Sequence, residues 1–445
     1  MKLCVRAFAF VLASAITSAL PLVAATDDSA PHPANPEAQR LYEQADAAFE
    51  KDQWDSALEK YNAALKLDPG YANGYYGRGW SMLQRGDADH AIADFTRAIE
   101  LNGNEGDYFH GRGRAYEALE KWDLAVRDYT DSIRLTKGAS NSYLRRGWCY
   151  SELSKPADAL KDFDEGLLID PNNAEILYAR GYALDDLGKY DEAIADYTKA
   201  LGIKPDYRLA LRMRGVSKYN KLDFEGAEAD LNEAIRLNPK DPYPYYNRGS
   251  TRAERHNTDG AIADYSEAIR LKPDYFAAVL DRGVEYLGKE QFDLAEKDFT
   301  TAIKLAPKSG LAFRNRSVSR SSLNRNAAAI SDLNEAIRLD ASDTKALLLR
   351  ASVFDDMGKD TEAIADLDKA IQLKPDYWEA LNNRGLLFVK AGEWQKAVED
   401  YSAAIRIVPA EPRPYGNRAE VYSKLGEFDK ADADKARAAE LAKTK

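Results

Sequence analysis

Few side chains in this 445-residue sequence are of the kinds that carry out reactions. The histidines number four (His32, His90, His110 and His256), and their spacing is not that of metal ligands. The two cysteines, Cys4 and Cys149, are too few for a disulfide framework or a thiolate metal cluster. There is no G-x-S-x-G elbow, no phosphate loop ending in G-K-[ST], and no H-E-x-x-H. GYYGRG (74–79) and HGRGRA (110–115) are glycine-rich, but no strand signal precedes either of them. Carboxylate pairs such as Asp185-Asp186 and Asp355-Asp356 lie on amphipathic patterns, where they read as solvated faces. The expectation is a non-enzymatic chain with no catalytic, metal-binding or cofactor-binding residues.

What is chemically distinctive is arginine and aspartate at one fixed separation. Arg78 and Asp94, Arg180 and Asp196, Arg214 and Asp230, and Arg384 and Asp400 each stand sixteen residues apart, and the couple occurs eleven times. Gln44 and Lys60 occupy the twelfth instance, so both members are lost together. A guanidinium fork against a carboxylate is a bidentate, charge-assisted contact. Repeated at every layer, it reads as internal packing rather than as a recognition track.

The elements that position these couples recur at thirty-four residues. AIADYTKALGIKPDY (193–207) returns as AIADYSEAIRLKPDY (261–275) and AIADLDKAIQLKPDY (363–377). Residues 38–445 divide into twelve units of thirty-four, from 38–71 to 412–445. Position 20 of every unit is alanine, and position 8 is glycine in eight units and Ala or Ser in the others. Position 32 is proline in eight. Within a unit, AEILYARGYALDDLG and KYDEAIADYTKALGI each carry apolar residues at helical spacing, stopped by Gly188 and Pro205. One such helix pair cannot bury its own apolar face, so neighbours must stack.

This pattern resembles the tetratricopeptide repeat over residues 38–445. It shares an aromatic at position 4 (Tyr75, Phe109, Tyr143), small residues at 8, 20 and 27, an aromatic at 24 (Phe95, Tyr129, Tyr197) and proline at 32. The resemblance implies an all-α, right-handed superhelical solenoid of helix-turn-helix repeats. Departures cluster in 310–343, where Ser317, Arg320, Asn326, Leu333 and Ala341 replace the family's residues, so the softest joint is expected there. Lys435 and Ala439 replace large apolar groups in the last unit, as expected of a helix with no neighbour to cover it.

In the family, the first helix of each repeat lines a concave groove, through positions near 2, 5, 9, 12 and 13. Carried over, that geometry nominates Tyr76, Trp80, Trp148, Tyr178, Tyr182, Tyr243 and Tyr246 as candidate peptide-binding rings. Large rings with polar tips suit recognition surfaces. His110, Arg114 and Arg212 stand among them as candidate anchors for carboxylate or carbonyl oxygens. The family's clamp for a C-terminal carboxylate is not reproduced, because Ala277 and Asp281 stand where its third basic repeat is required. The expected partner is a protein or peptide, with an envelope glycan or self-association as alternatives. A net charge of −11 argues against nucleic acid.

The amino terminus suggests a compartment. Lys2 and Arg6 precede an apolar run broken by Pro21, and small residues follow at Ala24 and Ala25. That layout predicts a signal peptide over 1–25, cleaved on export to a bacterial periplasm or exterior, with no membrane span left afterwards. The run is about 15–17 residues, marginal for a ~30 Å hydrocarbon core. Residues 26–37 read as a spacer, with a helix start at Asn35-Pro36-Glu37.

Overall fold

A computed structural model describes residues 35–443. The proposed signal peptide and residues 26–34 of the spacer lie outside the described residues. Twenty-four α-helices and no strand are present among those described, from Pro36–Phe49 and Trp54–Leu67 to Pro412–Lys424 and Phe428–Ala442. The first helix includes Pro36 and Glu37, because Asn35 caps it by accepting the Glu37 N–H at 2.9 Å. The chain divides after Pro239 into two compact blocks. Each is a stack of paired antiparallel helices, a solenoid segment built on the thirty-four-residue stride.

The pairing of small and large positions has a steric cause. A Cβ on Gly181 would stand 2.7 Å from the Tyr197 ring, and one on Gly147 would come closer still to Phe163. Position 8 therefore leaves the space that the position-24 ring fills, and Phe95, Phe163, Tyr197, Phe299 and Tyr401 are wholly buried there. Opposite Ser317 and Ala351, which carry a Cβ at position 8, stand the smaller Leu333 and Leu367, whereas in the first repeat Ala45 still faces Tyr61.

All eleven arginine–aspartate couples close as forks. Nε and one terminal nitrogen of each guanidinium donate to the two carboxylate oxygens at 2.6–2.9 Å. The aspartates are buried, while the arginines keep 13–25% of their side-chain surface, so desolvation falls mainly on the anion. The remaining terminal nitrogen reaches back to position 25 of the preceding repeat. Arg78 donates there to Asn62 at 2.7 Å, Arg146 to Thr130 at 2.9 Å, Arg282 to Ser266 at 3.0 Å and Arg384 to Asp368 at 2.6 Å. The couple is thus a rivet through one layer and into the one before it.

Residues 310–343 carry additional ties where a soft joint was expected. Arg320, standing where an aromatic belongs, bridges Asp332 at 2.9 Å and Glu296 of the previous repeat at 2.7 Å. Arg325 adds Asp293 at 3.1 Å and a second contact to Glu296. Arginine here exchanges ring packing for ion pairs.

The turn inside each repeat places one residue in the left-handed region. Glycine fills it at Gly86, Gly188, Gly358, Gly392 and Gly426, but Leu222 does so at φ 65° with 73% of its surface exposed. Leucine there carries strain without packing in return. Leu222→Gly should raise stability by about 1 kcal/mol, read as a higher urea midpoint at unchanged slope; a lower midpoint would refute the strain.

Candidate functional site

First helices of successive repeats approach one another and form one wall of each block. Tyr108 donates to Asn73 across two such helices, Asn417 donates to Asn382 at 2.8 Å, and Tyr246 donates to Asp281 at 2.9 Å. Close approach along this wall encloses positions 5 and 9 more than helix periodicity alone implies. Of the ten nominated residues, Trp80, His110, Arg114, Tyr178, Tyr182, Arg212 and Tyr246 are buried. Tyr76, Trp148 and Tyr243 retain partial exposure.

Most of these residues group in three clusters of rings and guanidiniums. Tyr76 meets Trp80 edge-on at 6.3 Å and Tyr108 at 5.3 Å, and the Arg114 guanidinium lies 5.8 Å from the Trp80 ring. Trp148 packs against Tyr182 at 5.4 Å and Tyr178 at 6.2 Å, and Arg212 acts electrostatically on Tyr178. Tyr243 and Tyr246 meet around Tyr275 at 5.5 and 5.0 Å. The first two clusters belong to the block ending at Pro239 and the third to the block beginning at Lys240.

The fold and spacing match the description Tetratricopeptide repeat over residues 42–105, 140–173, 174–207, 212–276 and 280–344, and the description TPR repeat over 352–392 and 385–426. The chain belongs to the tetratricopeptide repeat family. Its architecture is that of a protein-binding scaffold. Solved tetratricopeptide-like structures similar to it include the APC/C hetero-tetramer Cut9–Hcn1, at 14% identity and TM-score 0.47, covering 92% of this chain and 95% of that one. Yeast Tom70 aligns at 17% identity and TM-score 0.40, covering 92% and 98%. YrrB, described as a TPR protein with an unusual peptide-binding site, aligns at 24% identity and TM-score 0.36, covering 41% and 95%. No curated protein matches the chain.

Between the first two clusters lies a polar group that the repeat pattern does not require. Glu117 accepts from the Tyr129 hydroxyl at 2.7 Å and lies 3.7 Å from the Cys149 thiol. Arg114 and Arg145 both face that one carboxylate, at 3.5 and 3.8 Å. Those separations are too long for strong hydrogen bonds, and among the described residues neither guanidinium donates one to another protein group. Two cations against one anion leave a nearly buried excess of positive charge and unspent donors.

His110 does not act as a third cation. Burial, with Arg114 and Arg145 nearby, depresses its pKa to about 3. Its Nδ1 pairs with the Ser142 hydroxyl at 2.8 Å, which in turn meets Ser132 at 2.9 Å. Neutral at ordinary pH, it is a hydrogen-bonding core residue rather than the carboxylate anchor its position suggested.

Arg145 is the arginine of this polar group that the sequence reading did not nominate. Its signal was visible: it directly precedes the ladder arginine Arg146, where the neighbouring repeats have Gly77, Gly111 and Ala179. Among the described residues, no three His, Cys, Asp or Glu side chains are grouped to hold a metal, and no helix is long and apolar enough to cross a membrane.

Proposed function

We propose that this chain is an exported, non-catalytic scaffold whose first block holds a polypeptide segment along the wall of first helices. The observation that carries the reading is the Arg114–Arg145 pair with donors unspent, Arg145 standing one helical turn before the partly exposed Trp148. A segment offering a carboxylate or backbone carbonyl to the guanidiniums and an apolar side chain to the indole would complete both. Binding is by burial plus a few directed hydrogen bonds, with no covalent step. Export rests on residues 1–25, and amino-terminal sequencing of the chain recovered from cell fractions tests it.

The binding role is tested by selecting peptides from a random display library on the full chain, then measuring the selected sequences by anisotropy. Trp148→Ala should weaken them about 30-fold, the scale of a buried aromatic anchor, and Arg145→Gln should weaken those bearing a carboxylate. Undiminished binding by both variants, or retention of glycan strands in place of peptides, would overturn the proposal.

A further inference from the structure

The second block holds a different site, independent of the one above. In four repeats the position-24 tyrosine finds an acceptor on the first helix of its own repeat. Tyr61 donates to Asp46, Tyr129 to Glu117 at 2.7 Å, Tyr197 to Asp185 at 2.8 Å and Tyr265 to Ser250 at 3.3 Å. Tyr401 is the exception. The two equivalent positions facing it are Leu386 and Val389, and its hydroxyl is buried with no partner among the described residues. A buried hydroxyl left without a partner is costly and rare in a settled core.

Tyr401 lines a cavity of about 90 Å³ together with Leu386, Val389, Asn417, Glu420 and Lys424, and Trp394 and Val421 complete it. Leu386 is 42% exposed at its edge, and Glu420 is exposed and makes no ion pair among the described residues, Lys424 one turn on included. Glu420 is the charge acting most strongly on the Tyr401 hydroxyl, whose pKa is raised first by burial and then by that carboxylate. The lining thus combines aliphatic side chains with an orphan hydroxyl, a carboxylate that makes no ion pair among the described residues, and the Asn417 amide. Exposed Asp356 stands on the first helix of the repeat before it, in a chain of net charge −11.

We infer that this cavity receives a lysine side chain of a partner polypeptide. The methylene stem lies against Leu386, Val389 and Val421, and the ammonium donates to Glu420, Tyr401 Oη and Asn417 Oδ1. Glu420, drawn inward, accepts a hydrogen bond from the Tyr401 hydroxyl, so the orphan donor is satisfied in the complex. Lys424, exposed, extends its own ammonium into solvent.

The experiment titrates the full chain with Ac-Gly-Ala-Lys-Ala-Gly-amide by saturation-transfer NMR, beside peptides carrying norleucine or glutamate in place of lysine. The lysine peptide should bind at least about tenfold more tightly than the norleucine one, the scale of one charge-assisted contact. Tyr401→Phe keeps the ring and should remove about tenfold of that affinity, as should Glu420→Gln. Trp148→Ala should leave it unchanged, which separates this site from the one in the first block. Equal binding of lysine and norleucine peptides, preference for glutamate, no detectable binding, or indifference to both variants would each overturn the inference.

Discussion

Arg146→Met should destabilise the protein by about 3–5 kcal/mol, the usual consequence of leaving a buried charge without its counter-ion. Asp162 loses both halves of its fork, at 2.8 and 2.7 Å, and among the described residues it makes no second ion pair, Lys161 being paired with Asp158. The Thr130 hydroxyl of the preceding repeat loses its donor as well. Adding Asp162→Leu should restore most of the loss, because two apolar residues can replace a buried pair at little net expense. Arg214→Met should be milder, since Lys218 lies 2.8 Å from Asp230 and remains to neutralise it. Thermal melts of the three variants decide the matter: a double variant worse than Arg146→Met, or Arg214→Met worse than both, would contradict the pairing.

The second large effect is on pH. Asp185 is buried, receives one hydrogen bond from the Ser217 hydroxyl shared between its two oxygens at 2.7 and 2.9 Å and another from Tyr197 at 2.8 Å, and makes no ion pair among the described residues. Burial raises its pKa to about 7, and those hydrogen bonds only partly oppose the rise. In the unfolded chain the same carboxyl ionises near pH ~4. Between those values the folded protein holds a proton that the unfolded chain has released, so stability falls as pH rises from about 4 to about 7. About three pKa units at ~1.4 kcal/mol each give a loss of about 4 kcal/mol. Asp185→Asn keeps an acceptor for Tyr197 and removes the charge, so it should be more stable than the parent at pH 8 and lose that advantage at pH 4.5. Parallel stability profiles for the two proteins would show that Asp185 is not the source.

Much of the architecture was legible because steric necessity repeats. Gly181 opposite Tyr197 and Gly147 opposite Phe163 leave a mark at every stride, and the sixteen-residue interval of the forks marks the return of the second helix on the first. The position-25 acceptors were equally regular, as Asn62, Thr96, Thr130 and Asp164 show, but Asn, Thr, Ser and Asp read individually as ordinary solvated residues. Only the third guanidinium nitrogen reveals what they share.

Depth was not legible. Helical spacing tells which side of Ser140–Glu152 bears Trp148, but not how far Tyr178 and Tyr182 of the next repeat close over it. Hence rings nominated for recognition proved mostly to be core. Whether a polar side chain has a partner is a property of three elements at once. For that reason the unpartnered Tyr401 hydroxyl emerged only from the fold, and Arg145, although an unusual residue at its position of the repeat, showed its lack of a close acceptor only there.

The reach of each fork into the layer before it bears on how such a chain can grow. Its receiving group is accepted as amide, hydroxyl or carboxylate, so the socket is tolerant while the plug is constant. A copied layer set down after any other would find its fastening already in place. Lengthening or shortening by whole layers therefore keeps every fork and its socket, whereas a partial copy would part an arginine from its aspartate and leave one charge unpaired.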